Sequence, residues 1–195
     1  RSHAEALLLF PRNRVHEGDV TGVEAFKQLG QQLLNQHILF DVKPDDIVTP
    51  EQLTAYKRVF KPSSEENPPI GTLEGFSRFE APKTVRVSAS RPAKGNEITL
   101  HFVNYNREEP ATKKSAGMGI ADEKPIAVEG IKVDFILPAG FLATKVQVVS
   151  PETPKPIDLT MESKNGRISF AMPKFLVYAI VRIELASDEK NNQKN

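Results

Sequence analysis

The order of apolar and polar positions divides the chain into two halves with different periods. "AEALLLF" (4–10) is a continuous apolar run of the kind a strand buried on both faces shows, and "PRNR" stops it with a proline and a charged turn. A helix is expected next. Val23, Phe26, Leu29, Leu33 and Leu34 recur at helical spacing, and Thr21 with Glu24 fits a capping box. "HILFDV" (37–42) reads as a second strand. "TPEQLTAYKRVF" then supplies Thr49 as N-cap, Pro50 at the first helical position and Gln52 to complete the box of a short helix running to about Tyr56. With "RVF" (58–60) opening a third strand, this part predicts a right-handed β-α-β-α-β start.

The helical period then stops. "KPSSEENPPIGTLEG" (61–75) has no period and is rich in Pro, Ser, Glu and Gly, as a linker or long loop is. From Phe76 onward alternation takes over. Val85, Val87 and Ala89 share a face, and Lys94-Gly95-Asn96 turns into "EITLHFVN" (97–104) as a hairpin partner. After a polar insertion (108–125), "IKVDFIL" (131–137), "TKVQVVS" (144–150) and "IDLTME" (157–162) read as strands. Asn165-Gly166 predicts a type I′ hairpin into "RISFAM" (167–172), and "FLVYAIVRIEL" (175–185) closes the set. The expected fold is mixed α+β: a partial flavodoxin-like α/β segment over 1–62, a linker over 63–75, and an immunoglobulin-like antiparallel β-sandwich of about seven strands over 76–186, followed by a polar tail over 187–195. A complete doubly wound sheet needs further βα units, and the sequence turns to strands instead.

Charge adds little. The 26 Lys+Arg stand against 25 Asp+Glu, so a net charge of +1 gives no general attraction to nucleic acid or to an acidic membrane surface. The absence of cysteine excludes disulfides, thiolate metal sites and cysteine nucleophiles from these residues. No run approaches the roughly 20 apolar residues of a membrane-spanning helix, and "RSHAEALLLF" lacks the length and cleavage site of a signal peptide. A start without Met leads us to expect a piece of a longer protein, which leaves the compartment open.

Two segments carry a family resemblance. "LLNQHILFDVKPDDIVTPEQLTAYKRVF" (33–60) resembles part of the trimerisation domain of retaining β-galactosidases, a glutamine-amidotransferase-like α/β domain, in its I-x-F/Y-D-V strand and its L-x-x-Y-K before the next strand. "EAPKTVRVSASRPAKGNEITLHFVNYN" (80–106), "GIKVDFILPAGF" and "ISFAMPKFLVYAIVRIE" are similar to the small β-sandwich that follows such domains in glycoside-hydrolase-like proteins. The resemblance implies the non-catalytic C-terminal region of such a protein. The catalytic barrel, with the two carboxylates a glycosidase needs, is not in this sequence, and the α/β part stops after its third strand. An amidotransferase reaction lacks its cysteine.

Candidate chemistry is sparse. His101 in "LHFVNYNRE" (100–108) can titrate near neutrality, yet alternation puts it on one face with Tyr105 and sets Asn104 on the other, so a hydrogen-bonded strand histidine competes with a ligand contact. Asp41, Asp45 and Asp46 follow a strand end, where open α/β sheets place ligands. They read equally well as turn and cap residues. Arg12 and Arg14, in "PRNRVHEGD", precede a helix where an anion could sit, without the glycine pattern of a phosphate loop. The four histidines show no zinc spacing, and neither metal nor cofactor is expected.

The expected function is therefore a non-catalytic assembly or accessory region of a glycoside-hydrolase-like protein. Three strands with few helices leave sheet surface for a partner: the sandwich, a second copy of the chain, or a separate catalytic chain. The alternatives are a carbohydrate-binding module stacking sugars on Tyr105, Tyr178 or exposed Phe, and a small hydrolase built on Asp41, Asp45 or His101. The absence of Trp and the three Tyr count against the module.

Overall fold

The computed structural model describes residues 1–63, 70–71, 73–108 and 124–188. Residues 64–69 and 72 of the expected linker, 109–123 of the insertion and 189–195 of the tail lie outside the described residues. The protein is β-rich with few helices.

The first part is a three-stranded parallel sheet in the order β2-β1-β3, formed by β1 (Ala6–Phe10), β2 (Phe40–Pro44) and β3 (Arg58–Phe60). The apolar run of β1 is explained by its central place: neighbours on both sides and cover on both faces leave Ala6, Leu7, Leu8 and Leu9 buried. Helix α2 (Thr21–Asn35) lays Leu29 and Leu33 onto Ala6, Leu8 and Phe60, as the helical spacing predicted.

Several local expectations need correction. "PRNR" is no simple turn but a short helix, α1 (Arg12–His16). Thr21 is the first residue of α2 rather than its cap; its N–H and hydroxyl both donate to Asp19 Oδ1, at 2.9 and 2.6 Å. The second strand begins at Phe40, because α2 ends in a Schellman motif: Ile38 N–H donates to Leu33 O at 3.0 Å and His37 N–H to Leu34 O at 3.2 Å. That motif needs a left-handed residue, and His37 takes the place usually given to glycine, with φ of 56°. At α3 (Pro50–Leu53) the box forms as expected between Thr49 and Gln52, although the helix stops before Tyr56.

The second part is a β-sandwich. One sheet runs β5-β6-β12-β8-β9, from β5 (Val85–Ser90), β6 (Glu97–Asn104), β8 (Phe141–Val149), β9 (Ile157–Asp158) and β12 (Tyr178–Ser187). The other runs β10-β11-β7-β4, from β4 (Arg78–Glu80), β7 (Lys132–Ile136), β10 (Glu162–Lys164) and β11 (Arg167–Ala171). Leu100, Phe102, Val146, Val181 and Ile183 of the first sheet meet Phe79, Val133, Phe135, Ile168 and Phe170 of the second in one core. "IDLTME", expected as one strand, divides between the sheets as β9 and β10, with Leu159 and Met161 packed against the core between them. Asn165 and Gly166 take φ of 53° and 70°, the pair of positive values a type I′ turn requires.

The two parts share a seam. Ile38 belongs to the α/β core, while its neighbour Leu39, 2% exposed, belongs to the sandwich core. Ser2 bridges Ser90, His3 N–H donates to Ala89 O at 2.9 Å, and the His37 imidazole is 3.1 Å from Pro82 O.

Candidate functional site

The seam opens on one side into a cleft of about 660 Å³, walled by Ser2, His3, Glu5, Asp41, Tyr56 and Lys57 and, opposite, by residues 136–139 with Asn165 and Gly166. Glu5 anchors it. A carboxylate just ahead of an apolar strand is buried only when its oxygens are paired. Glu5, 7% exposed, accepts from Lys57 Nζ at 2.6 Å and from Ser77 N–H at 2.8 Å. Lys57 also donates to Gly75 O at 2.7 Å and lies over the Phe76 ring. Ser77 Oγ in turn accepts from Ile136 N–H at 3.0 Å. Arg167 grips Asp134 through two hydrogen bonds of 2.7 and 2.8 Å and reaches Phe76 O at 3.1 Å. A chain of hydrogen bonds, charge-assisted at Glu5 and at Arg167, thus runs from the residue before β1 into β7 and β11.

Asp41 centres the other half of the cleft. It lies in register with Leu7 in the neighbouring strand, on the sheet face away from α2, and accepts from Ser2 Oγ at 2.6 Å and Tyr56 Oη at 2.8 Å. Burial first, then the hydrogen bond to Asp41 and its charge, push the Tyr56 phenol up to about 12, so it stays protonated. Lys43 Nζ sits 5.6 Å above the Tyr56 ring. His3, tilted against Phe135, has its pKa lowered by burial first and by Arg91 next, against the opposing pull of Glu5. Its neutral form is favoured.

Of the sequence candidates, Asp41 alone reaches this cleft. His101 lies on the outward side of β6, with Nδ1 at 2.7 Å from Tyr178 Oη and Nε2 at 3.2 Å from Ser90 Oγ, so both ring nitrogens are occupied by the flanking strands. Tyr105 is 55% exposed just beyond that strand. Asn104, on the inward side, donates to Ile126 O and Leu176 O at 2.8 and 2.6 Å and accepts from Asn106 N–H at 2.9 Å. Arg12 pairs with Asp46 at 2.9 Å, and its hydrogen bond holds that carboxyl below the usual range. Arg14 donates to Asp19 at 2.9 Å and to Thr21 Oγ1 at 3.1 Å. Asp19 falls to about 2, through Thr21 first and Arg14 after it. Asp45 accepts from Asn13 N–H at 3.1 Å. The anions that Arg12 and Arg14 meet are the protein's own, and Asp41, Asp45 and Asp46 have separate partners. Among the described residues no three or more His, Asp or Glu gather as metal ligands do. None of the helices there is long and apolar enough to cross a membrane.

Ser2, His3, Glu5, Tyr56 and Lys57 escaped the sequence reading as site residues. A signal was present: Asp41, Tyr56 and Lys57 are the polar positions of the I-x-F/Y-D-V and L-x-x-Y-K motifs, and Glu5 is the one charged residue of the run 4–10.

The fold and seam define a mixed protein in which an α/β piece is fixed to a β-sandwich. No family model matches the chain, and no curated protein matches it. Among solved structures it is similar to an α-L-fucosidase isoenzyme 2 from Paenibacillus thiaminolyticus, with 14% identity and a TM-score of 0.42 over 57% of this chain and 15% of that one. It is also similar to a cycloisomaltooligosaccharide glucanotransferase from Paenibacillus sp. complexed with cycloisomaltoheptaose, with 14% identity and a TM-score of 0.42 over 54% of this chain and 16% of that one. Both neighbours are glycoside-hydrolase-related, and the chain spans less than a fifth of either. Likeness of this size assigns neither an activity nor a ligand to this chain.

Proposed function

We propose that these residues form a non-catalytic accessory region of a glycoside-hydrolase-like protein, in which a truncated flavodoxin-like, amidotransferase-like segment rides on an immunoglobulin-like sandwich and serves assembly. The resemblance of residues 33–60 and 80–106 to the C-terminal region of β-galactosidase-like proteins supports the family. The observation that carries the assembly role is the Glu5-centred seam: it holds the α/β segment in one orientation, so that edge strand β2, with Val42 50% exposed, is presented rigidly to a partner. A second copy of the chain or a separate catalytic chain fits that surface. Both carboxylates of the seam are committed to internal partners, which fits a region without chemistry of its own.

Light scattering across a concentration series tests this. The expected result is a mass above one chain that falls to one chain on Val42→Lys. A strict monomer that binds no catalytic chain, or hydrolysis of aryl glycosides by the pure protein, counts against it.

A further inference from the structure

The seam cleft lies well within the roughly 300–1,000 Å³ of small-molecule sites, and its polar groups come together from the residues before β1, from β2 and from the residues before β3. Their hydrogens can be counted. A hydroxyl has one, and those of Ser2 and Tyr56 are both spent on Asp41, which leaves their oxygens as acceptors toward the cleft. The Asp41 carboxylate is an acceptor too. Lys57 has three hydrogens, of which Glu5 and Gly75 take two, so one remains to donate. The neutral imidazole of His3 adds one donor and one acceptor. The cleft therefore asks mainly for a ligand that donates hydrogen bonds.

Charge decides between the two kinds of donor, an ammonium and a hydroxyl. Glu5 and Asp41 are offset by Lys57, in direct contact with Glu5, and by Lys43, over the Tyr56 ring. Arg91 acts on His3 as a further positive charge. A cationic ligand would enter no negative field, and an anionic one would face the lone pairs of Ser2, Tyr56 and Asp41. The opposite wall, Ile136, Leu137, Pro138 and Ala139, supplies carbon surface.

We propose that the seam cleft binds a neutral polyhydroxylated molecule of one or two sugar rings, whose hydroxyls donate to Asp41, Tyr56 Oη and Ser2 Oγ and accept from Lys57. The site depends on the seam and not on the assembly role, and its failure would leave the light-scattering result untouched. It also differs from a stacking platform at Tyr105, which is exposed and lies outside the cleft.

The test is an amide NMR titration of the whole chain with neutral mono- and disaccharides, with galactosamine and galacturonate as charged counterparts. At least one neutral sugar is expected to shift the amides of Ile136, Leu137, Ala139, Asn165 and Gly166 saturably. Tyr56→Phe and, separately, Ser2→Ala should each weaken that binding several-fold to about tenfold while the remaining spectrum shows the fold intact. Tyr105→Ala should leave it unchanged. No saturable shift from any neutral sugar overturns the proposal, as do equal binding of a charged counterpart, shifts centred on Tyr105, or wild-type affinity in both seam variants.

Discussion

Two polar clusters in this molecule use similar side chains to different ends. On the outer face of the five-stranded sheet, His101, Tyr178 and Ser90 sit on three adjacent strands and satisfy one another. In the seam, Glu5, Lys57, Asp41, Tyr56 and Ser2 also pair among themselves, all within the α/β segment, but they line a cleft against the sandwich, and Glu5 reaches past them to Ser77 N–H. The first arrangement closes on itself as soon as the sheet forms. The second is complete only when the α/β segment meets the sandwich, and removing Glu5 leaves the N–H of Ser77, a residue 2% exposed, without its partner. The His101 cluster should therefore tolerate substitution where the seam does not.

The largest effect is expected at Glu5. Glu5→Ala leaves Ser77 N–H unpaired and takes the carboxylate from Lys57, and it should cost about 3 kcal/mol in urea unfolding, at the low end for a buried pair because Lys57 keeps some solvent. A loss of a few tenths would erase the distinction between the clusters. Asn104→Ala comes next, at about 2 kcal/mol, since two carbonyls and one N–H lose their partner inside the sandwich.

A pH effect sharpens the same contrast. His3 and His37 both have folded pKa values below the ordinary 6.5, burial being the first cause in each. The unfolded chain then binds more protons than the folded one, so the stability they contribute is complete above 6.5 and is lost as pH falls through the folded values. The urea midpoint should drop from pH about 7.5 to 5.5, and His37→Asn should flatten that slope. A midpoint that rises on acidification contradicts the buried seam. The smallest change is expected for Tyr178→Phe, about 0.5–1 kcal/mol, with ligand titrations at the cleft unaltered.

Local rules made much of the fold legible. The apolar run of β1, the stripe of α2, the Thr49–Gln52 box and the Asn165-Gly166 turn each rest on residues close in sequence, and each formed. Alternation likewise separated His101 from Asn104 correctly. The seam was not legible, because its bonds join Glu5 to Ser77, Ser2 to Asp41 and His37 to Pro82, and no period links such pairs. His37 shows the conflict in one residue. Its backbone takes a conformation suited to glycine, and its side chain accounts for the choice by reaching across the seam to Pro82. Arg12 and Arg14 point the other way, since Asp46, 34 residues along the chain from Arg12, and Asp19, five residues from Arg14, already answer them.

The seam joins the α/β segment and the sandwich into one body. Native-state hydrogen exchange of β1 and β6, followed by mass spectrometry, measures this most directly. The prediction is that residues 6–10 and 97–104 exchange at the same rate through a single global opening, and that Glu5→Ala uncouples them. Rapid exchange of β1 in the unaltered protein while β6 stays protected would contradict it.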